Sequence, residues 1–135
     1  MLTVELTDSD YQALARLRYL LRLFLRFSED AALSEGLTPQ QHQLLLAIRG
    51  FPGGSAPTVG EVAELLQLRQ HSVVELVDRA EDSGLVRRRV DSHDRRRHRL
   101  AVAMKGERKL ARLATAHQAE LLRFRDEINL LLGDQ

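Results

Sequence analysis

The sequence predicts a mostly α-helical protein carrying one small β-hairpin, and three observations support that prediction. Apolar residues recur every three or four positions along most of the chain, the spacing of helices that bury one face. Helix-start signals stand at Thr7, Thr38 and Thr58. The period shortens to two only between Gly84 and Met104, on either side of the stretch RRRVDSHDRRRHR.

Each element follows in order. Thr7, with Asp8 and Asp10 behind it, offers a capping hydroxyl and acids where the helix dipole favours them. Tyr11, Leu14, Leu17, Leu20, Leu21, Phe24 and Leu25 then form one apolar stripe on a helix predicted to run to about residue 33, before a break at Gly36. Thr38-Pro39-Gln40-Gln41 is a capping box with proline at the first helical position. It opens a helix through His42, Leu45, Leu46, Ile48 and Arg49 that stops at Gly50, and FPGGSAP reads as a loop. Thr58-Val59-Gly60-Glu61 repeats the box and starts a short helix with Val62, Ala63, Leu65 and Leu66. After Gln67-Leu68-Arg69, a further helix would bury Val73, Leu76, Val77 and Ala80 and end near Ser83-Gly84. Leu85–Val90 and the alternating Leu100, Val102 and Met104 are the two strands, with the loop tip at Asp91–His98. From Lys105-Gly106 onward, Leu110, Ala114, His117, Leu121, Phe124, Ile128 and Leu131 fall at heptad spacing, a seam that wants a partner helix.

Composition narrows the function. With 135 residues, 44% hydrophobic and 29% charged, the chain suits one soluble structural domain. A net charge of +1 does not by itself suggest a polyanion partner, but its distribution does. Residues 87–99 hold seven arginines against Asp91 and Asp94, a local +5, so the remainder sums to −4. There is no cysteine, which excludes disulfides, Cys-ligated zinc and thiol redox chemistry. LRYLLRLFLRF is interrupted too often by arginine to span a bilayer, and no leader pattern opens the chain, so a cytoplasmic location is expected. No phosphate loop with lysine, nucleophile elbow or His pair with glutamate appears, so neither an enzyme nor a cofactor is expected. A metal site is not expected either.

The order helix, short helix, helix, hairpin is that of a winged helix-turn-helix, here flanked by long N- and C-terminal helices. In this layout the second short helix enters the DNA major groove and the hairpin reaches the flanking backbone or minor groove. The expected division is an N-terminal dimerisation helix (1–36), a DNA-binding domain (37–104) and a C-terminal dimerisation helix (105–135), forming one structural domain. On the outward face of the recognition helix, Gln70 can bond adenine and Val74 can touch a thymine methyl. Arg69 or His71 addresses a guanine or a phosphate, Ser72 a phosphate oxygen. Glu75 is expected to pair with Arg79. In the wing, Asp91 and Asp94 can each hold a guanidinium in one orientation, so that arginine is presented at the tip. A winged domain alone cannot bury both terminal stripes, so Leu14, Leu17, Leu21, Leu121, Phe124, Ile128 and Leu131 are expected to form a homodimer with two recognition helices about one DNA turn apart.

LTPQQHQLLLAI and PTVGEVAELLQLRQHSVVELVDRAEDSGLVRRRVDSHDRRRHRLAVAMKG together resemble the multiple antibiotic resistance regulator (MarR) family. The most specific part is the wing: Gly84–Val86, then Asp91, Asp94, Arg95 and Arg96, with Gly106 ten residues on. The resemblance implies a homodimeric transcription regulator, usually a repressor, on a palindromic double-stranded operator and often released by a small-molecule effector. It implies that Asp94 braces the wing and Arg96 enters the minor groove, with Arg95 and Arg97 contacting phosphates. It places a ligand pocket between the first, second and last helices, near Tyr19, Phe24, His42 and Leu45. The chain departs from the family's pattern in having Ser92 where proline is frequent, Ala103 where threonine caps the last helix, and Arg69 at the start of the recognition helix. It also stops at Gln135, where the family commonly continues. Other readings of the same layout are a winged adaptor gripping an acidic protein surface and a nonspecific DNA-coating protein.

Overall fold

The structure, a computed structural model, describes residues 4–133. Three of its five helices start on reciprocal caps; the sequence predicts the boxes at Thr38 and Thr58, and at Thr7, where it predicts a capping hydroxyl, Asp10 completes a third. Before α1 (Asp8–Ser34), Thr7 accepts from the Asp10 amide while the Asp10 carboxylate accepts from the Thr7 amide at 2.8 Å. Thr38 with Gln41 does the same for α2 (Pro39–Arg49), and Thr58 with Glu61 for α3 (Val59–Leu66). By contrast, α4 (Gln70–Asp82) begins at Arg69 and α5 (Met104–Leu132) at Ala103, neither with a side-chain cap.

The helix ends direct apolar residues inward. Gly36 and Gly84 both sit at φ +74°, which lets the next amide bond back into the helix: Leu37 to the Ala32 carbonyl at 3.0 Å, Leu85 to Ala80 at 2.8 Å. Both leucines are buried in consequence. The tight turn between α3 and α4 repeats the device without glycine, holding Gln67 at φ 54°.

Strands β1 (Val86–Val90) and β2 (His98–Val102) pair antiparallel from Val86↔Val102 to Val90↔His98. The alternation predicted through Met104 ends earlier. Ala103 instead donates to the Leu85 carbonyl at 2.8 Å, and the next residue begins α5. Pro57-Thr58, read from sequence as loop and cap, also pairs with the hairpin: Leu100 donates to the Pro57 carbonyl at 2.8 Å and Thr58 bridges Arg99. The wing is therefore held from its far side as well as by its own strands.

One core lies under α4, built from Leu44, Leu45 and Ile48 of α2, Val62 of α3, Val73 and Val77 of α4, and Val86 and Leu100 of the hairpin. The long helices extend beyond it and pack on each other, with Phe24 and Phe124 rings 5.5 Å apart and Arg16 paired to Glu127 at 3.3 Å. The partner that the α5 seam wants is thus supplied in part by α1 of the same chain. Leu17, Phe124, Ile128 and Leu131 are half-buried, whereas Leu14, Leu21 and Leu121 remain exposed. Among the described residues, no helix is long and apolar enough to cross a membrane.

Candidate nucleic-acid interface

The rotation of α4 is fixed by its buried Val73, Leu76, Val77 and Ala80. The 3.6-residue period then turns Gln70, His71, Val74, Glu75 and Asp78 outward and leaves Ser72 half-buried. Because Arg69 provides no cap, the positive end of the α4 dipole lacks a side-chain acceptor from its cap residue. The exposed residues face the wing across a groove of about 550 Å³. Gln70, His71 and Val74 line one side, Arg96, Arg97 and His98 the other, and Thr58 and Gly60 at the start of α3 close it. Arg69, Ser72 and Arg95 lie outside this lining.

The two wing aspartates do different things. Asp94 accepts from the Arg96 amide at 3.0 Å and from Arg96 Nε at 3.2 Å. It thereby orients a side chain that is 91% exposed. Asp91 is buried at the foot of the loop, where it accepts from the His93 amide at 3.2 Å and lies 3.5 Å from Arg99 Nε. It closes the loop and does not itself hold a tip arginine, because Arg99 is already back on β2. The Arg96 guanidinium and amide keep the Asp94 carboxyl below the usual range. For Asp91, the His93 amide does most of this, with Arg99 adding to it against the cost of burial.

Two arginines in the basic run serve the fold. Arg88 reaches α4 and pairs with Asp78 and, at 3.5 Å, with Glu81. Arg99 donates to the Ala56 carbonyl and lies 3.4 Å from Ser55 Oγ. Neither role was read from sequence. For Arg88 a signal existed, since strand alternation puts it on the same face as buried Val86. The expected Glu75–Arg79 pair is absent among the ion pairs of the described residues. Asp78, one turn along on the same outward face, is the acid that engages, and its partner is in the wing.

A second cavity, about 570 Å³, lies between α1, α2, α3 and α5 and includes Phe24 and His42. The other two residues expected there are elsewhere. Leu45 is fully buried in the winged core, while Leu46, one position on, lines the cavity. Tyr19 borders a separate cleft under Arg16, whose guanidinium carbon is 5.3 Å from the ring centre.

With this geometry established, four similarities bear on identity. The MarR family profile matches residues 35–97, which span the helix-turn-helix and most of the wing. A Thauera aromatica protein, whose name ties it to transcriptional regulation of the hcr operon, is 31% identical over 93 residues, covering 69% of this chain. The chain belongs to the MarR family. It spans about half the length of that relative, 54%. A MarR-family structure from Bacillus stearothermophilus is 26% identical, with a TM-score of 0.74 over 88% of this chain and 81% of the other. A DNA complex of MepR from S. aureus shares the MarR fold at 18% identity, with a TM-score of 0.70 over 91% of this chain and 85% of MepR. MarR proteins are transcription regulators, not enzymes.

Proposed function

We propose that this protein is a sequence-specific double-stranded DNA-binding transcription regulator. In this reading it acts in the cytoplasm as a homodimer on a pseudo-palindromic operator, represses by competing with polymerase, and is released by a small-molecule effector. The observation that carries the proposal is the groove that sets Gln70, His71 and Val74 of α4 opposite Arg96 and Arg97 of the wing. One element offers groups for base edges while the other offers cations for the neighbouring backbone or minor groove. The MepR–DNA complex, a MarR-fold protein bound to DNA, lends support.

In this reading 37–104 is the DNA-binding part, and 1–36 and 105–135 bring two copies together. The exposed Leu14, Leu21 and Leu121, beside the half-buried remainder of the stripe, supply apolar surface for that contact. Arg95 and Arg97 take phosphates and Arg96 the minor groove. Arg69 and Ser72 flank the start of α4 for backbone contacts, and Phe24 and His42 receive the effector.

Selection of the purified protein against a random duplex pool tests the proposal. An inverted repeat with half-sites about one helical turn apart is the expected result. Retained DNA without a motif, bound with salt sensitivity alone, would replace the proposal with nonspecific coating. Retention of nothing would leave the arginine wing to an acidic protein partner.

A further inference from the structure

Two imidazoles line the groove between α4 and the wing: His71 from the first turn of α4 and His98 from the first residue of β2. Both are exposed. The fold aims each of them there. Burial of Val73, Leu76 and Val77 turns His71 outward. Strand alternation puts His98 on the face of β2 that carries buried Leu100 and Val102. Arg88, opposite Leu100 on the paired strand, shows where that face looks, because its side chain reaches Asp78 of α4.

The fixed charges of the groove are of one sign. Arg96 and Arg97 line it from the wing, α4 adds uncharged Gln70 and Val74, and the start of α3 adds only uncharged residues. Among the described residues, no carboxylate is part of the lining. The neighbouring acids are engaged elsewhere. Asp94 holds Arg96, Asp78 holds Arg88, and Asp91 accepts from the His93 amide. On α3, Glu61 accepts from the Thr58 amide and Glu64 from the Gln67 side chain. Glu75 stands one turn beyond His71 on α4, outside the lining, and Arg99 beside His98 turns to the Ala56 carbonyl. A proton on either ring therefore meets no opposite charge in the groove until an anion enters.

We infer that His71 and His98 are proton-dependent contacts to the duplex, each entering the interface as an imidazolium, so that DNA binding takes up protons and tightens as pH falls. The inference rests on the DNA reading above and adds a regulation to it. Imidazole is the side chain whose charge changes between about pH 5 and pH 8, and a phosphate nearby favours its charged form. Protonated, the ring donates from both nitrogens, to phosphate oxygens or to the acceptor edge of guanine; neutral, it keeps one donor. Arginine stays charged throughout this range, so Arg96 and Arg97 make the contact salt-dependent without making it pH-dependent. Because the complex holds more protons than its parts, affinity climbs as pH falls towards the ordinary imidazole value of about 6.5. Well above that value both rings bind neutral and the linkage vanishes.

The test uses the full chain and a mixed-sequence DNA duplex at low ionic strength. An imidazole whose proton affinity rises tenfold on the duplex adds a factor of about six between about pH 8 and about pH 6. The pair should then tighten binding roughly thirtyfold to fortyfold over that window. Calorimetry at about pH 7, in two buffers of different ionisation enthalpy, should count about one proton taken up. The slope of log affinity against log salt should be steeper by about one at the lower pH. His71→Gln and His98→Gln should each remove part of the pH response and the double variant nearly all of it. His93→Gln, in the wing but outside the groove lining, should keep it. His98→Lys, a fixed cation, should hold at pH 8 the strength that His98 gives only at pH 6. Duplex binding without proton uptake would overturn the inference and leave the DNA reading standing, as would a pH response that the double variant retains or that is lost with His93 alone. Absence of duplex binding at either pH would overturn both. The wild-type proton count needs no variant, so a misfolded substitution does not obscure the answer.

Discussion

Replacing Gly106 with alanine reverses an expectation drawn from helix propensity. Gly106 lies in the first turn of α5, where alanine ordinarily gains up to about 1 kcal/mol over glycine. Here the added Cβ would overlap the Leu85 carbonyl oxygen and stand 2.9 Å from Val102 Cγ1. That carbonyl also accepts from the Ala103 amide at 2.8 Å, the bond joining the end of the hairpin to the start of α5. The obstacle is backbone and cannot swing away as a side-chain tip would. The upper part of the usual overpacking range therefore applies, about 2–3 kcal/mol. Subtracting the propensity gain leaves a net loss of about 1–2 kcal/mol. For a chain of this length that corresponds to a melting temperature lower by roughly 3–8 °C. Thermal and urea melts at one fixed protein concentration measure it, since association would shift the midpoint. Gly54→Ala is the control, because its Cβ meets nothing within 4 Å, and it should change stability by less than about 0.5 kcal/mol. An unchanged or raised midpoint for Gly106→Ala would refute the close-approach argument.

Three further outcomes are expected. Arg96→Ala should weaken operator binding by about 1–3 kcal/mol, roughly tenfold to a hundredfold, with the dimer unchanged in sedimentation; full affinity would remove Arg96 from the interface. Arg97→Ala should weaken binding to all duplexes alike and lower the slope of log affinity against log salt by about one, and an unaltered slope would deny the phosphate contact. The wing should also be acid-labile. Asp91 and Asp94 have lowered folded-state pKa values, so the stability they add is complete above the ordinary carboxylate value of about 3.9 and is lost as pH falls through the lower folded values. Titration of the His93 and Arg96 amide resonances reads both carboxylates, and midpoints at or above that ordinary value would contradict the hydrogen bonds assigned to them.

Elements whose causes are local are legible in the chain's residue order alone. The capping hydroxyl at Thr7 and the capping boxes at Thr38 and Thr58 need only four consecutive residues, and the apolar period that orients α4 needs only its own thirteen. From these follow the helix order, the hairpin and the outward row of Gln70, His71 and Val74. What depends on residues distant along the chain emerges only on folding. Arg88 and Arg99 look like their five neighbouring arginines until α4 supplies Asp78 and the loop before α3 supplies the Ala56 carbonyl. A guanidinium's role is set by the acceptor that folding places within its reach. The same holds for the α5 seam, whose periodicity calls for a partner helix without naming it, and part of that partner proved to be α1. His42 shows the division most sharply. Its helical register could be read from Thr38 onward, but its buried ring at a cavity wall beside His117 exists only because four separate helices converge there.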